Sequence, residues 1–183
     1  MEKCCGRCAL VVATLLLCCV GPARAGDELL TGDMIQLTRQ LLGVRSRDAT
    51  IDLGAGPGSA DDPTIAGGSL RVLSIEGDVF DRTYPLFATG WRALRRRGSV
   101  YGYVFRGAEP IRRVQVKQGK GLRVFGKGSG LGHTLGGNPT PVRVVLTLGR
   151  QQYCMSFGGT VEFTSGVHYL ARDAAAPDLC PLP

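Results

Sequence analysis

The chain is short of the residues that carry most catalytic and metal chemistry. Its 183 residues include two histidines, His133 and His168. Beyond residue 25 there is no His-x-x-x-His or Cys-x-x-Cys pair, so a zinc site has little to build on. No Gly-x-Ser-x-Gly turn is present, which removes the nucleophile elbow of the α/β-hydrolases. A Ser-His-Asp triad stays open, because its members need not be close in sequence. No apolar run reaches the about 20 residues that a membrane span needs. No long helical period, internal repeat or domain linker interrupts the chain, which speaks against bundles, arrays and multi-domain organisation.

The N-terminus supplies the clearest positive signal. Lys3 and Arg7 mark a charged start, and the apolar run Cys8–Val20 follows, thirteen residues long. Gly21-Pro22 then break a helix, and Ala23-Arg24-Ala25 place small residues at the two positions a signal peptidase reads. Residues 1–25 are expected to be a secretory signal peptide, with cleavage between Ala25 and Gly26. The competing reading, a membrane anchor, needs a longer run. Lipid attachment needs a small residue before the modified cysteine. Leu17 precedes Cys18 and Cys18 precedes Cys19, so that site is poor.

Cleavage changes the cysteine and charge balance. Of seven cysteines, five leave with the leader, and Cys154 and Cys180 remain. In an oxidising compartment two cysteines most simply form one disulfide, here tying the C-terminal tail to the strand that carries Cys154. Two free thiols are the alternative. Removing 25 of 183 residues leaves 158, enough for one domain with a real core. Of 22 basic and 15 acidic side chains, the leader takes Lys3, Arg7, Arg24 and Glu2, which leaves 19 and 14 and a net charge of +5. That balance permits binding to anionic surfaces without requiring it.

The mature chain reads as β almost throughout. Ser69–Ile75 alternates with period 2, as do Ile111–Lys117 (after one slip) and Leu122–Val124. Val142–Leu148 is β-branched and mostly apolar, the composition of a central strand. Val100–Phe105, Tyr153–Phe157 and Thr160–Phe163 are further strands. Residues 28–42 carry two readings. They hold either the strands Asp33–Thr38 and Leu41–Arg45, or a helix with Leu30, Met34, Leu37 and Leu41 on one face. Gly54–Gly58, Gly67-Gly68, Gly119–Gly121, Gly136–Pro139 and Gly158-Gly159 punctuate these runs. Many short strands between Gly/Pro turns predict an all-β, sandwich-like domain over residues 26–183. The tail Asp173–Asp178 reads as an extended strap held by Cys180.

Motif shapes appear and fail physical tests. Gly121–Gly128 nearly matches a phosphate-binding P-loop, but Gly128 stands where Ser or Thr would hold magnesium, and Leu122–Phe125 is itself strand-like. Gly54–Ser59 misses the dinucleotide fingerprint. Both histidines are expected at surface or edge positions. Asp61-Asp62 and Asp78–Asp81 form two acidic loops, with Asp48 and Asp52 nearby in sequence. They suit a calcium site or ordinary turn chemistry. No cofactor is expected. Basic residues concentrate in the middle, with Arg95-Arg96-Arg97 followed by Arg106, Arg112, Arg113, Lys117, Lys120, Arg123 and Lys127, and strand alternation places some of them on one solvent face. Arg95, Arg96, Arg97, Lys117, Lys120 and Arg123 are the set expected to meet a polyanion. The bland alternative is a solvated sheet face that discourages aggregation.

Several segments carry a resemblance. Ser59–Thr64 leads into Ala66–Val72; Gly130–Gly136, Val144–Gly149 and Tyr153–Val161 follow, and the chain ends on Leu170–Ala174, Ala176-Pro177 and Cys180-Pro181. Over roughly residues 30–181 this resembles an uncharacterised family of secreted, glycine-rich β domains from Gram-negative bacteria, found alone or as modules of larger exported proteins. The Cys-x-x-Phe-Gly-Gly segment with its Cys-Pro ending is the most specific part, and it supports the Cys154–Cys180 pairing. The resemblance implies no activity. Arg95-Arg96-Arg97 departs from the lysine- and glycine-rich turn expected there. Together these readings predict an exported, non-catalytic β module in the periplasm, at the cell surface or in the medium, with a binding or structural role. Its expected partner is an anionic polysaccharide or envelope polymer, not nucleic acid. A secreted hydrolase is the alternative.

Overall fold

The computed structural model describes residues 26–181. The expected leader, with Ala25 of the cleavage junction, lies outside the described residues. Thirteen strands follow in chain order: β1 (Asp27–Leu29), β2 (Gly32–Thr38), β3 (Leu41–Ser46), β4 (Gly68–Ser74), β5 (Phe80–Leu86), β6 (Trp91–Arg96), β7 (Ser99–Arg106), β8 (Ile111–Lys117), β9 (Gly121–Lys127), β10 (Val142–Leu148), β11 (Gln151–Phe157), β12 (Thr160–Thr164) and β13 (His168–Ala174). The one α-helix among the described residues is a single turn, Pro63–Ala66. The chain is all-β, as its alternation and turn spacing predict.

The strands form two sheets. Five order as β1-β11-β10-β4-β5, and eight as β12-β13-β2-β3-β9-β8-β7-β6. Every pairing is antiparallel except β1 with β11. Their inner faces meet in one apolar cluster, with Leu70, Val144, Leu146, Tyr153 and Met155 from the smaller sheet and Ile35, Val44, Val114 and Val124 from the larger. This shared core makes the arrangement a sandwich of a single domain. Polar tips of three large core residues reach backbone carbonyls, whereas the buried Tyr103 Oη has no hydrogen-bond partner among the described residues. Tyr84 Oη donates to the Leu131 carbonyl at 2.5 Å, Tyr169 Oη to that of Phe157 at 2.8 Å, and Trp91 Nε1 to that of Leu86 at 3.2 Å.

The local patterns have direct structural counterparts. β10 is a central strand between β11 and β4. The slip in the β8 alternation is a register shift between Ile111 and Arg113, where Arg112 is the extra residue of a bulge. Residues 28–42 are strands, not a helix. Leu37 pairs with Leu42 across the β2–β3 turn, and that turn leaves no room for helical spacing. Two expectations need correction. Phe80 and Asp81 begin β5 and do not belong to an acidic loop. The strap starts at Ala175, because Asp173 and Ala174 complete β13.

Cys154 and Cys180 form a disulfide, with Cα atoms 5.4 Å apart. Along β11, Tyr153, Met155 and Phe157 point into the core, so Cys154 points out. It packs with Val145, Cys180 and Leu29 in a separate small cluster. The strap therefore crosses the outer face of the five-stranded sheet and leaves the outer face of the eight-stranded sheet bare.

Candidate anion-binding face

The outer face of the larger sheet is set by strand parity. One rank of residues runs across it at right angles to the strands: Ala171, Ile35, Val44, Val124, Val114, Phe105 and Trp91 are register partners in turn. All seven lie in the core. The next rank must then face outward. It reads Arg172, Met34, Arg45, Arg123, Gln115, Val104 and Arg92, again in unbroken register. Four of these seven side chains are arginines, on β13, β3, β9 and β6.

Two shallow hollows lie along this rank and share Gln115 and Arg123. One, of about 220 Å³, is lined by Arg47, Lys117 and Lys120 among others. The other, of about 300 Å³, is lined by Arg45, Arg113, Met34 and Phe125. They form one trough across β8, β9 and β3. Its floor includes Gly121, with φ +146°, where a Cβ would overlap the Ser46 carbonyl. Glycine there lets the strand ends at Ser46 and Gly121 close up, which brings Arg47 beside Lys117.

Six cations line the trough, and one carboxylate answers them. Asp33 contacts Arg45 Nε at 3.3 Å and also pairs with Arg47. Arg113, Lys117, Lys120 and Arg123 make no ion pair among the described residues. Such unneutralised charges on one face raise the local potential for anions.

The trough joins three of the six basic residues singled out from the sequence, Lys117, Lys120 and Arg123. Arg95, Arg96 and Arg97 lie elsewhere, at the end of edge strand β6 and in the β6–β7 hairpin. Arg95 Nη1 donates to the Gly98 carbonyl at 3.4 Å within that hairpin. The triplet shares an end of the sheet with the β8–β9 hairpin, but β7 stands between them. Sequence reasoning missed Arg45 and Arg47, and it counted Arg113 in the basic stretch without placing it in the polyanion set. For Arg113 a signal was present, since it shares parity with Gln115 and Lys117 on β8. Arg45 and Arg47 join only through the β3–β9 pairing.

The acidic residues serve the backbone. Asp48 accepts from the amides of Thr31 and Thr50, both at 2.9 Å, and from both hydroxyls. Burial opposes its ionisation, but these hydrogen bonds outweigh it and hold the carboxyl down at about 2. Asp62 accepts from Gly58 and caps the Pro63–Ala66 turn through Thr64, and Asp78 binds Thr134 and Leu135. Asp81 is paired with Arg71 at 2.6 Å. Among the described residues no three His, Cys, Asp or Glu side chains are placed to hold a metal ion. These loops use turn chemistry where calcium was the other reading.

His133 corrects the expectation of a surface residue. It is buried, contacts the Thr38 carbonyl through Nε2 at 2.5 Å, and tilts against Phe80. Burial pushes its pKa down, while the Thr38 carbonyl and Asp78 pull the other way. Neither histidine ring is hydrogen-bonded to a serine or a carboxylate among the described residues. Two larger hollows, of about 600 and 570 Å³, flank the strap on the smaller sheet. The first sets Arg143 against Asp173 and Asp178, and the second contains the Arg71–Asp81 pair. Neither concentrates charge of one sign, so size does not favour them as the anion site.

No family model matches the chain, and no curated protein or solved structure matches it. Among the described residues no helix is long and apolar enough to cross a membrane.

Proposed function

We propose that this chain is an exported, non-catalytic β module that holds an anionic polymer against the outer face of its eight-stranded sheet, at the cell envelope or beyond it. The observation that carries this reading is the trough: six cations on β3, β9 and β8 or just beyond their ends, answered among the described residues by Asp33 alone. The leader motif before Gly26 and the resemblance to secreted glycine-rich domains support export. The committed carboxylates and the buried, carbonyl-bonded His133 weigh against the hydrolase alternative.

The test is binding of the purified 26–183 chain to immobilised polyanions over a salt series, in parallel with two variants. Replacing Lys117, Lys120 and Arg123 with Gln abolishes most of the binding. The same change at Arg95, Arg96 and Arg97 lowers it modestly, because those charges sit outside the trough. Both variants keep the wild-type unfolding midpoint to within about 0.5 kcal/mol, as solvent-face substitutions do. Wild-type binding weakens with salt, since exposed charges are screened within about 8 Å at physiological ionic strength. Salt-insensitive binding that survives the first variant would defeat the proposal. So would turnover of a glycan, peptide or ester that is lost on changing His133 or His168.

A further inference from the structure

We infer that the polymer is a linear acidic polysaccharide bearing carboxylates on successive sugars, and that it lies across the strands of the eight-stranded sheet with one sugar ring stacked on Phe125. This rests on the anion-binding reading above and adds the ligand class, its direction and its platform. Three observations carry it.

The first is the direction of the charge. The outward rank from Arg172 through Arg45 and Arg123 to Arg92 keeps unbroken register over seven strands. Neighbouring strands lie about 4.8 Å apart, so these arginines sit at multiples of that spacing over about 29 Å. The steps between them are two, one and three strands. Such a line of cations across the strands suits an extended chain that carries a charge on every unit and can meet each arginine where it falls. The second is the kind of cation. Arginines dominate the rank, and their planar forks match planar carboxylates two bonds at a time. Gln115, between Arg123 and Val104 in the same rank, offers an amide donor and acceptor to sugar hydroxyls.

The third is Phe125. It is 44% exposed and stands one outward residue along β9 from Arg123. Its register neighbours are Gly43 and Arg113. Gly43 has no side chain to cover the ring on that flank. A pyranose presents a face of C–H groups that packs on such a ring, while its carboxylate reaches the flanking arginines. The other exposed large apolar side chains (Ile65, Ile75, Val79, Phe87, Val167 and Leu179) fall outside this trough. Among the described residues the trough therefore has one exposed ring to stack on and lacks the apolar set that would insert into a lipid surface.

The experiment measures affinity for oligogalacturonates of increasing length at fixed salt, with fully methyl-esterified oligomers, dextran sulfate, duplex DNA and anionic phospholipid vesicles as comparison arms. Wild-type, Phe125→Ala, Phe125→Trp and Arg45→Gln/Arg123→Gln proteins are compared, each checked for an unchanged unfolding midpoint. Affinity for the galacturonates rises with length and levels off once the oligomer spans about 29 Å. The methyl esters bind far more weakly. Phe125→Ala weakens galacturonate binding about tenfold and Phe125→Trp restores it, with dextran sulfate unaffected by either. The double arginine variant weakens every polyanion. If Phe125→Ala leaves galacturonate binding intact while the arginine variant abolishes it, the anion-binding reading stands and the sugar inference falls. If DNA or vesicles bind more tightly than galacturonate at equal salt, the ligand class is overturned. If the arginine variant changes nothing, the trough itself is the wrong site.

Discussion

At the scale of single residues, Asp48 shows how this chain spends its carboxylates. Its side chain joins Thr31, at the entrance to β2, to the Thr50 turn beyond β3 through four hydrogen bonds. Replacing a carboxylate that binds backbone amides in this way costs about 1 kcal/mol. Asp48→Ala should therefore lower the urea unfolding free energy by about that amount at pH 7. The pH dependence has a definite sign. The folded carboxyl is held at about 2, below its ordinary 3.8, so the unfolded chain takes up the proton first as pH falls. The stabilisation is whole above pH 3.8 and is lost as pH falls through about 2. The gap between wild type and Asp48→Ala should shrink across that window. A gap that stays constant down to pH 2 would show that the carboxylate acts only by packing.

At the scale of elements, β11 carries two separate jobs on its two faces. Tyr153, Met155 and Phe157 build the common core, and Cys154 anchors the strap on the outside. The disulfide closes a loop with a sequence separation of 26 residues. Loop-closure arithmetic for that length gives about 3.5 kcal/mol of stabilisation as an upper figure. The bond belongs to a satellite cluster, so its loss should not dismantle the sheets. Changing Cys154 and Cys180 together to Ser should lower stability by up to about 3.5 kcal/mol and leave the far-ultraviolet β signal unchanged. Denatured, unreduced wild-type protein from an oxidising compartment should show no titratable thiol. Two thiols per chain would refute the pairing.

At the scale of the molecule, one core serves both sheets. That predicts one cooperative transition, because neither sheet can lose its inner face without exposing the other's. Trp91, the single tryptophan, is buried on β6 of the larger sheet and donates to Leu86 at the end of β5 in the smaller. Its fluorescence thus reports on the joint between the sheets, while circular dichroism reports on all strands. The two urea transitions should coincide. Separated midpoints would mean that the sheets unfold independently and that the shared core is weaker than its burial suggests.

The chain's local pattern determined the all-β class, the central place of β10 and the slip in β8. Each depends on alternation or counting within a short stretch, and strand parity is a local property. β1, β5, β6 and β13 escaped that reading. β1, β5 and β6 are edge strands, partnered on one side, and β5 exposes Asp81, Arg82 and Thr83 in succession, so a half-buried period of two never appears there. β13 lies inside the larger sheet, and its Tyr169-Leu170-Ala171 run is apolar without alternation. The trough was legible only in part. Lys117 and Lys120 flank one hairpin, and Arg123 follows on its second strand. Arg45 and Arg47 lie more than seventy residues earlier in the chain, and only the β3–β9 register brings them alongside. The β6–β7 and β7–β8 pairings put Arg95, Arg96 and Arg97 at the far edge. Tertiary structure decided both, because a cross-strand neighbour is chosen by which apolar faces must be buried together, and no single segment of the chain contains that choice.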